Sequence, residues 1–284
     1  MSQPLDLLEI KDFLVKLALE AGELITSKTG KTEFVDKANS VDLVTETDAA
    51  VEKLVAERVA ATYPDFEFMG EESYVPGETK LGEKPTFVVD PIDGTTNFIH
   101  SFPFSCTSLG FTVNREPVVG VVYNPFLKLM YTGVKGHGSF LNDERLPLRK
   151  SVSKLTLQNA LIGIEWGTQR SGPNYKCKVD TFNKLAAEDG AMVHGFRSLG
   201  SAAMNICAVA AGMLDAYWEG GCYAWDVAAG WIILSEAGGR MVGGNPGLWN
   251  PAVDERVYLA VKADEGSEQF INDFWGSMVG KLDY

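Results

Sequence analysis

The sequence is poor in the residues on which many metal and cross-linked sites depend. Its 284 residues include four cysteines and three histidines. Cys106, Cys177, Cys207 and Cys222 form no CxxC pair and have no histidine beside them. This disfavours a zinc site or a disulfide framework, and it predicts free, buried thiols in a reducing compartment. The histidines show neither ligand spacing nor a serine–acid partner pattern, so we expect them in surface or core roles.

Long apolar stretches and an excess of positive charge are also absent. No segment approaches the length of a membrane-spanning helix, and the N-terminal residues lack the basic start and apolar core of a signal peptide. We therefore expect a cytoplasmic protein that does not associate with membranes. Lys and Arg number 25 against 38 Asp and Glu, which gives a formal net charge of −13. Because nucleic-acid binding needs a basic surface, this charge argues against a nucleic-acid partner.

The composition that is present is typical of a globular protein, with 45% hydrophobic and 11% aromatic residues. Apolar residues at helical spacing predict a helix over residues 7–28, which Gly30 ends, and a second helix from near Thr45 to just before Pro64. In residues 104–141, serine and β-branched runs alternate with turn residues, which indicates an antiparallel meander.

Strands and helices alternate after residue 155. We predict strands over 160–166, 192–196 and 214–218 and helices near 175–188, 204–211 and 225–236. The whole pattern predicts a layered arrangement with both antiparallel and alternating parts. No repeat, low-complexity tract or linker divides the chain, so we expect a single domain over residues 1–284. A shift in composition near residue 150 marks a subdomain boundary within it.

One short segment carries most of the chemical information, Asp90-Pro91-Ile92-Asp93-Gly94-Thr95-Thr96-Asn97. The run before it, Thr86 to Val89, is β-branched and aromatic, which predicts a buried strand. Because Pro91 has no N–H and biases the preceding residue toward an extended conformation, we expect the strand to end at Asp90. Two carboxylates close together in sequence then stand at the end of a strand.

The residues after these carboxylates predict a helix start. Gly94 permits a tight turn, and Thr95 or Thr96 is expected to cap the helix that follows. Carboxylates bind hard cations, and the N–H groups of a helix N-terminus bind phosphate. The segment therefore suggests metal-assisted phosphate chemistry. Metal ions between the two kinds of anion would also explain how so acidic a protein binds a phosphate.

Further acidic residues stand at the ends of predicted elements. They are Asp48, Glu71, Glu72, Glu219 and Asp226. Active sites of α/β folds collect at such ends, and oxygen ligands select magnesium, calcium or manganese over zinc. Taken alone, however, each acid is more simply explained as a helix cap or part of a solvated turn. The residues by themselves therefore leave both a metal site and ordinary structural roles open.

Four motifs resemble those of the inositol monophosphatase family. Asp90 to Phe98 (DPIDGTTNF) matches the first long signature of that family, and Trp225 to Gly230 (WDVAAG), continuing to EAGG, matches the second. Gly70 to Ser73 (GEES) and Val41 to Asp48 (VDLVTETD) fit two upstream motifs at the right distances. The resemblance extends over nearly the whole chain. Within the family, the sequence most resembles the eukaryotic inositol monophosphatases.

This resemblance implies a fold, an activity and an assembly. The fold would be an α+β, five-layered αβαβα sandwich, and the assembly a homodimer. The activity would be magnesium-dependent hydrolysis of inositol monophosphates to inositol and phosphate, inhibited by lithium and serving inositol biosynthesis. The same chemistry on a sugar phosphate, histidinol phosphate or a 3′-phosphonucleotide is the nearest alternative. A regulatory binding protein that has lost catalysis is a remote one, because no metal ligand of the family is missing from the sequence.

The resemblance also assigns metal ligands by position. Glu71, Asp90 and the backbone carbonyl of Ile92 would hold a first magnesium ion. Asp90, Asp93 and Asp226 would hold a second, so that Asp90 bridges the two. A third and weaker ion is expected beside Glu71, which gives two or three magnesium ions per subunit.

Catalytic and substrate-binding roles follow in the same way. Asp48, Thr95 and the ligand Glu71 would act on the attacking water, and Gly94 and Thr95 would meet the phosphate. The substrate-binding positions are Glu71, Ile92, Asp93, Gly94, Thr95, Gly200, Ser201, Ala202, Glu219 and Asp226. Among them, Glu219 would accept hydrogen bonds from the hydroxyls of the inositol ring. Lys37 matches a basic position near the weaker metal.

Overall fold

The computed structural model describes residues 5–30, 34–36, 43–149 and 151–284. The helices are α1 (Leu7–Lys28), α2 (Glu46–Thr62), α3 (Thr95–Ile99), α4 (Gly172–Ala186), α5 (Ala202–Ala210), α6 (Ala224–Glu236) and α7 (Ser267–Ser277). The strands are β1 (Phe34–Asp36), β2 (Leu43–Thr45), β3 (Glu67–Gly70), β4 (Thr86–Asp93), β5 (Cys106–Val113), β6 (Glu116–Asn124), β7 (Leu129–Val134), β8 (Gly138–Leu141), β9 (Glu144–Arg145), β10 (Leu161–Ile164), β11 (Gly195–Arg197), β12 (Ala216–Gly220), β13 (Arg240–Gly243) and β14 (Val257–Val261). Within these ranges, no helix is both long and apolar enough to cross a membrane.

The strands form two large sheets and one small hairpin. The larger sheet has seven strands in the order β3-β4-β5-β6-β7-β8-β9, and every pair except β3 with β4 is antiparallel. The second has five strands in the order β11-β10-β12-β14-β13, with β10 parallel to both of its neighbours. Strands β1 and β2 pair with each other. The predicted meander over residues 104–141 is confirmed as β5 to β8.

Apolar contacts stack these elements into five layers. Helices α1 and α2 cover one face of the seven-stranded sheet, α5 and α6 lie between the two sheets, and α4 and α7 cover the far face of the five-stranded sheet. Along β12, Tyr217 faces the middle layer and Trp218 the outer one, as the two-residue period of a strand requires. The predicted αβαβα sandwich is therefore confirmed.

A row of glycines lets α6 approach the larger sheet closely. Gly110, Gly120 and Gly133 lie side by side in register on β5, β6 and β7. A Cβ atom on Gly120 would lie 2.3 Å from the carbonyl oxygen of Ala229 in α6, and one on Gly133 would lie 2.8 Å from the Cα of Ile233. Any side chain at these positions would push the helix away from the sheet. The row thus fixes the depth of α6, whose first turn carries a predicted site residue.

The structure differs from the sequence prediction at β4. We expected the strand to end at Asp90, but it continues through Pro91 to Asp93. Its pairing with β3 stops at the Gly70–Val89 pair, and its register against β5 shifts between Asp90 and Asp93. Pro91 therefore lies where the ladder is already irregular, so its missing N–H removes no regular bond.

The helix after β4 also starts differently from the prediction. Gly94, with φ of 89°, is the residue before the first helical position, and no side chain caps α3 there. Thr95 or Thr96 was expected to serve as a cap, but both lie inside the helix, and the Thr95 hydroxyl donates to the carbonyl of Ile92 at 3.0 Å. The left-handed conformation of Gly94 makes the turn without a cap.

Other elements agree in type and differ in extent. Helix α4 begins at Gly172, before the predicted start, and β11 begins at Gly195 rather than at residue 192. Strands β13 and β14 and helix α7 were not predicted. The helix predicted over 204–211 is α5, which begins at Ala202 and lies buried in the middle layer.

Candidate metal and phosphate site

Three carboxylates from two elements meet at one point. Asp90 and Asp93 come from the end of β4, and Asp226 comes from the first turn of α6. One carboxylate oxygen of each lies within 4.8 Å of the other two. Asp90 and Asp93 are buried, and Asp226 is half-buried. The structure therefore brings together residues that are far apart in the sequence.

Asp226 is held by the backbone at the start of its own helix. It is the third helical residue of α6, and its Oδ2 accepts the backbone N–H of Tyr223 at 2.6 Å. This is the bond of an acidic residue that closes a helix N-terminus. One carboxylate oxygen is thereby fixed, and the depth of α6 against the glycine row sets its distance from β4.

Asp93 joins β4 to the middle layer. Its carboxylate accepts hydrogen bonds from the Ser201 hydroxyl at 2.7 Å, the Ala202 N–H at 3.2 Å and the Ala203 N–H at 2.6 Å. These donors belong to the N-terminus of α5, where the helix dipole favours a negative charge. Asp93 thus links the carboxylate cluster to the predicted substrate residues at 200–202.

Asp48 and Thr95 form a second, adjoining arrangement. Asp48 closes the start of α2, because its Oδ2 accepts both the N–H of Thr45, at 2.9 Å, and the Thr45 hydroxyl. Its Oδ1 lies 3.3 Å from the hydroxyl of Thr95, which also lies 3.0 Å from the carbonyl of Ile92. These three predicted site residues, Asp48, Ile92 and Thr95, are therefore in hydrogen-bond contact across three elements.

Glu71 follows the last residue of β3, and it is not one of the three carboxylates that meet within 4.8 Å. Its N–H donates to the carbonyl of Val89 at 3.1 Å, which places it opposite the residue before Asp90. Its negative charge raises the pKa of Asp90 and of Asp226. The next residue, Glu72, donates its N–H to the carboxylate of Glu52 at 2.7 Å, so the turn after β3 is fixed on both sides.

Burial and mutual repulsion act on this cluster in the same direction. Burial, followed by the charge of Glu71, raises the pKa of Asp90 well above its ordinary value. Burial and then the charge of Asp93 do the same to the pKa of Asp226. Burial raises the pKa of Asp93 to about 6 against the three hydrogen bonds that lower it. A cation is what such a group of carboxylates lacks.

The donor set indicates which cation fits. The Oδ1 atom of Asp90 is buried and has no hydrogen-bond partner among the described residues, which is costly unless something else binds it. Among the residues that the structure describes, the groups that converge are carboxylates, and the buried Cys106 thiol, whose Sγ lies 4.0 Å from Oδ2 of Asp93, is not one of them. Hard, oxygen-binding cations such as magnesium, calcium or manganese match this set. The residues present therefore fit a divalent metal ion.

The predicted substrate residues lie next to this cluster. Gly200 approaches Gly94 so closely that a Cβ atom on Gly94 would lie 2.9 Å from the Gly200 carbonyl oxygen. Asn97 ties the two segments together, because its side-chain amide donates to the carbonyls of Phe104 at 2.7 Å and Leu199 at 2.6 Å. The turn after β4 and the loop before α5 thus form one surface.

Glu219 stands on β12 at the other side of this surface. It accepts a hydrogen bond from the buried Tyr217 hydroxyl. Burial raises the pKa of the Glu219 carboxyl to about 7, Lys178 lowers it, and the charges of Glu165 and Asp93 raise it further. The negative charge of Asp93, a residue of the cluster, therefore acts on the Glu219 carboxyl.

Two residues of this region were not predicted. Glu165 follows β10 and accepts the N–H groups of Leu199 at 2.6 Å and Gly200 at 2.8 Å, which holds the loop before α5. Lys178 lies wholly buried in α4. Neither belongs to a motif, and their partners are distant in sequence, so no local signal indicates them.

Two remaining predictions have different outcomes. All four cysteines are free and buried, as predicted. Lys37 lies outside the described residues, so its predicted place near a metal is not addressed by the structure.

Comparison with known proteins gives a consistent result. The sequence profile of the inositol monophosphatase family matches residues 6–278. Inositol monophosphatase 2 of Saccharomyces cerevisiae is 53% identical over 280 residues, which cover 96% of this chain and 95% of that protein. Inositol monophosphatase 1 of the same organism is 50% identical over 292 residues, covering 99% of both chains. The crystal structure of the extragenic suppressor protein suhB from Bartonella henselae superposes with a TM-score of 0.80 at 29% identity, covering 94% of this chain and 98% of that one.

Proposed function

The chain belongs to the inositol monophosphatase family, and on that premise we propose its function: it is a phosphatase that hydrolyses myo-inositol monophosphates to inositol and inorganic phosphate. One observation carries the proposal for this site. The carboxylates of the buried Asp90 and Asp93 and of the half-buried Asp226 converge next to the turn at Gly94, and an Asp90 oxygen has no partner among the described residues. A metal ion that satisfies this oxygen would face the position proposed for the phosphate.

The proposed metal is magnesium, with two or three ions per subunit. Glu71, Asp90 and the carbonyl of Ile92 would hold one ion, and Asp90, Asp93 and Asp226 a second, with a weaker third ion beside Glu71. Bound magnesium ions lower the pKa of a water molecule and neutralise charge on a phosphoryl group. The proposal is supported by the oxygen-only donor set and by the raised pKa values of Asp90 and Asp226, which burial and neighbouring carboxylates cause.

Asp48 and Thr95 would orient the attacking water. The Thr95 hydroxyl has its proton directed at the carbonyl of Ile92 or at Asp48, which leaves its lone pairs able to accept a hydrogen bond from a water molecule. Burial raises the pKa of Asp48, which brings this carboxylate closer to the range of a proton acceptor. The pair therefore suits the alignment of a water against a phosphate held at Gly94.

The remaining proposed contacts concern the substrate itself. The N–H groups of Gly94 and Thr95 would meet the phosphate oxygens. Gly200, Ser201 and Ala202 would line the ring, where short side chains leave space for it. Glu219 would accept hydrogen bonds from ring hydroxyls, while Glu71, Ile92, Asp93 and Asp226 would face the phosphate.

Substitution of Glu219 tests the assignment to the ring. Glu219→Gln should raise the KM for myo-inositol 1-phosphate about tenfold and change kcat little, because the lost charge serves ring binding and not the phosphorus. The measurement is steady-state kinetics on this substrate and on p-nitrophenyl phosphate, which has no polyol ring. An equal loss with both substrates would contradict the assignment.

A substrate panel tests the function as a whole. Phosphate release is measured with and without magnesium from myo-inositol 1-phosphate, a sugar phosphate, histidinol phosphate and a 3′-phosphonucleotide. We expect the largest kcat/KM for the inositol monophosphate. A larger kcat/KM for one of the other phosphates would support the same hydrolysis with that compound as the substrate. No phosphate release from any of them would favour a protein that has lost catalysis.

The proposed assembly is a homodimer in which each subunit has a complete site. The proposed ligands, Glu71, Asp90, Ile92, Asp93 and Asp226, all come from one chain, so dimerisation should affect stability more than metal binding. Sedimentation of micromolar protein should therefore give a species of twice the 30.9 kDa chain mass. A single species near 30.9 kDa would reject the dimer without affecting the catalytic proposal.

Further proposals rest on the family alone. Lithium would inhibit by replacing the ion held by Asp90, Asp93 and Asp226. The protein would act in the cytoplasm, in inositol biosynthesis. Residues 1–284 would form a single domain with a subdomain boundary near residue 150, and the packing of α6 against strands of the larger sheet and against β13 of the smaller one supports one shared core.

A further inference from the structure

Lys178 is a wholly buried lysine beside the proposed substrate surface. It extends from α4, and its Nζ donates to the carbonyl of Gly220 at 3.2 Å. Burial lowers its pKa, and the charge of Glu219 is the strongest influence that raises it again. Buried lysines are rare unless they are paired. The residue just before its Gly220 partner is Glu219, whose carboxylate is proposed to bind the ring.

Tyr284 closes the space around this lysine. Its ring centroid lies 5.7 Å from the Lys178 Nζ. A Cβ atom on Gly220 would lie 2.6 Å from the ring, and one on Gly221, whose φ is +110°, would lie 3.1 Å from it. The ring therefore packs on the two glycines that follow Glu219, and it separates the ammonium group from water.

Two asparagines hold the segment that carries this ring. Asn245 donates to the carbonyl of Leu282 at 2.8 Å and accepts its N–H at 2.9 Å. Asn174, one turn before Lys178 in α4, does the same with Asp283, at 2.6 Å and 2.8 Å. Each side chain thus pairs with the backbone as a neighbouring strand would. The position of Tyr284 is fixed by the helix that supplies the lysine.

The charges around Glu219 are otherwise unfavourable to its ionised form. The titratable groups that face it are Lys178, Glu165, Asp93, Asp226, Tyr217, Cys222 and Tyr284. On the adjacent strand β14, Tyr258 pairs with Glu219 in register, and its hydroxyl donates to the carbonyl of Val253 at 2.9 Å. Bound metal ions would offset the charges of Asp93 and Asp226. Burial and Glu165 would then still raise the pKa of Glu219, and Lys178 would lower it.

We propose that Lys178 is a positioning residue for the polyol ring of the substrate. It fixes the backbone directly after Glu219 through the Gly220 carbonyl, and its buried positive charge favours the ionised form of the Glu219 carboxyl, which accepts hydrogen bonds from ring hydroxyls. The Tyr284 ring packs over the Lys178 ammonium group. Electrostatic interactions of a charge shielded from water are stronger than those of the same charge in water. The inference rests on the proposed function, because it assigns Glu219 to the ring.

The test compares variants that differ at one point of this arrangement. Lys178→Met removes the charge at nearly constant length, and Lys178→Gln removes the charge but keeps a hydrogen-bond donor. Lys184→Met is the matched control, because this exposed lysine of the same helix also donates to a carbonyl, that of Gly276 at 3.1 Å. The readout is the ratio of KM for myo-inositol 1-phosphate to KM for p-nitrophenyl phosphate between pH 6.5 and 9, with the Tm of every variant.

Both Lys178 variants should raise this KM ratio by about fivefold or more near pH 7, because a protonated Glu219 keeps only part of its capacity to accept hydrogen bonds. The increase should shrink toward pH 9, because a higher pH favours the ionised Glu219. Lys184→Met should leave the ratio unchanged, and adding Lys178→Met to Glu219→Gln should produce no further rise. If Lys178→Met does not fold, Lys178→Gln carries the same test.

A lower Tm with an unchanged ratio at every pH would overturn the proposal and leave Lys178 a structural residue only. A ratio that rises equally at pH 7 and pH 9 would overturn the role proposed for the charge and leave only the contact with the Gly220 carbonyl. In both cases, wild-type hydrolysis of inositol phosphate and a raised KM in Glu219→Gln would show that the proposed function itself stands. Failure of the wild type on inositol phosphate would instead reject the proposed function, and this inference with it.

Discussion

Asp93→Asn and Asp226→Asn should each lower turnover of myo-inositol 1-phosphate at least about 100-fold. Each change removes one negative charge from the group proposed to hold the second metal ion. The fold should survive, because burial already raises the pKa of both carboxyls and an uncharged amide is easier to bury. Turnover is measured at saturating magnesium, and the thermal transition of each variant is recorded beside it.

A matched control uses the same chemical change on the surface. Asp254 is exposed, forms an ion pair with Arg115 at 2.6 Å, and is not one of the carboxylates of the cluster. Asp254→Asn should keep wild-type turnover, since an exposed pair contributes little. If Asp93→Asn or Asp226→Asn also kept near wild-type turnover, that residue would have to be removed from the proposed site. Of the two, Asp226→Asn is the cleaner test, because Asp93 also holds the start of α5.

Removal of metal should have an effect at least as large. Treatment with a chelator should abolish phosphate release, and added magnesium should restore it, because the repelling carboxylates have no other counter-charge among the cluster residues. Excess calcium should inhibit. It binds oxygen ligands but is larger and accepts looser geometry, so it would occupy the site without holding the reacting groups.

The measurement is phosphate release after exhaustive dialysis against chelator, followed by titration with magnesium, manganese or calcium. Thermal unfolding recorded on the same samples separates loss of metal from loss of fold. Full activity after chelation, with the metal content verified as negligible, would reject the metal-dependent mechanism. If zinc restored activity better than magnesium did, the assignment of magnesium from the oxygen donor atoms would be rejected.

Much of the fold could be predicted where one periodicity extends over many residues. Helix α1 occupies the predicted residues 7–28, and α6 ends at the predicted residue 236. The error at β4 has a local cause. A proline ends a strand only where its missing N–H would have been bonded, and whether it would have been depends on the neighbouring strand. That neighbour, β3, stops pairing at Val89, which the sequence does not reveal.

The site could be predicted in part for a similar reason. Acidic residues at element ends were visible in the sequence, so Asp90 and Asp226 were both singled out. Their convergence, however, depends on how deeply α6 packs on Gly110, Gly120 and Gly133, which is a property of the tertiary structure. Local patterns indicate which residues have the right chemistry, and packing between distant elements decides which of them meet.

Glu165 and Lys178 lie beyond what local patterns can predict. Glu165 bonds to residues more than thirty positions away, and Lys178 bonds to Gly220, 42 positions away. In sequence, Lys178 belongs to an ordinary amphipathic helix in which other lysines are exposed. Only burial distinguishes it, and burial follows from the packing of α4 against β12 and the C-terminal residues.

The location of the bound metal ions tests the proposed metal site most directly. Crystals grown with manganese, a stand-in for magnesium that scatters anomalously, would reveal each bound ion in an anomalous difference map. We expect one peak in contact with the carboxylates of Asp90, Asp93 and Asp226, and a second in contact with Glu71, Asp90 and the Ile92 carbonyl. Strong peaks elsewhere with none at these carboxylates, under conditions that support activity, would contradict the proposed metal site.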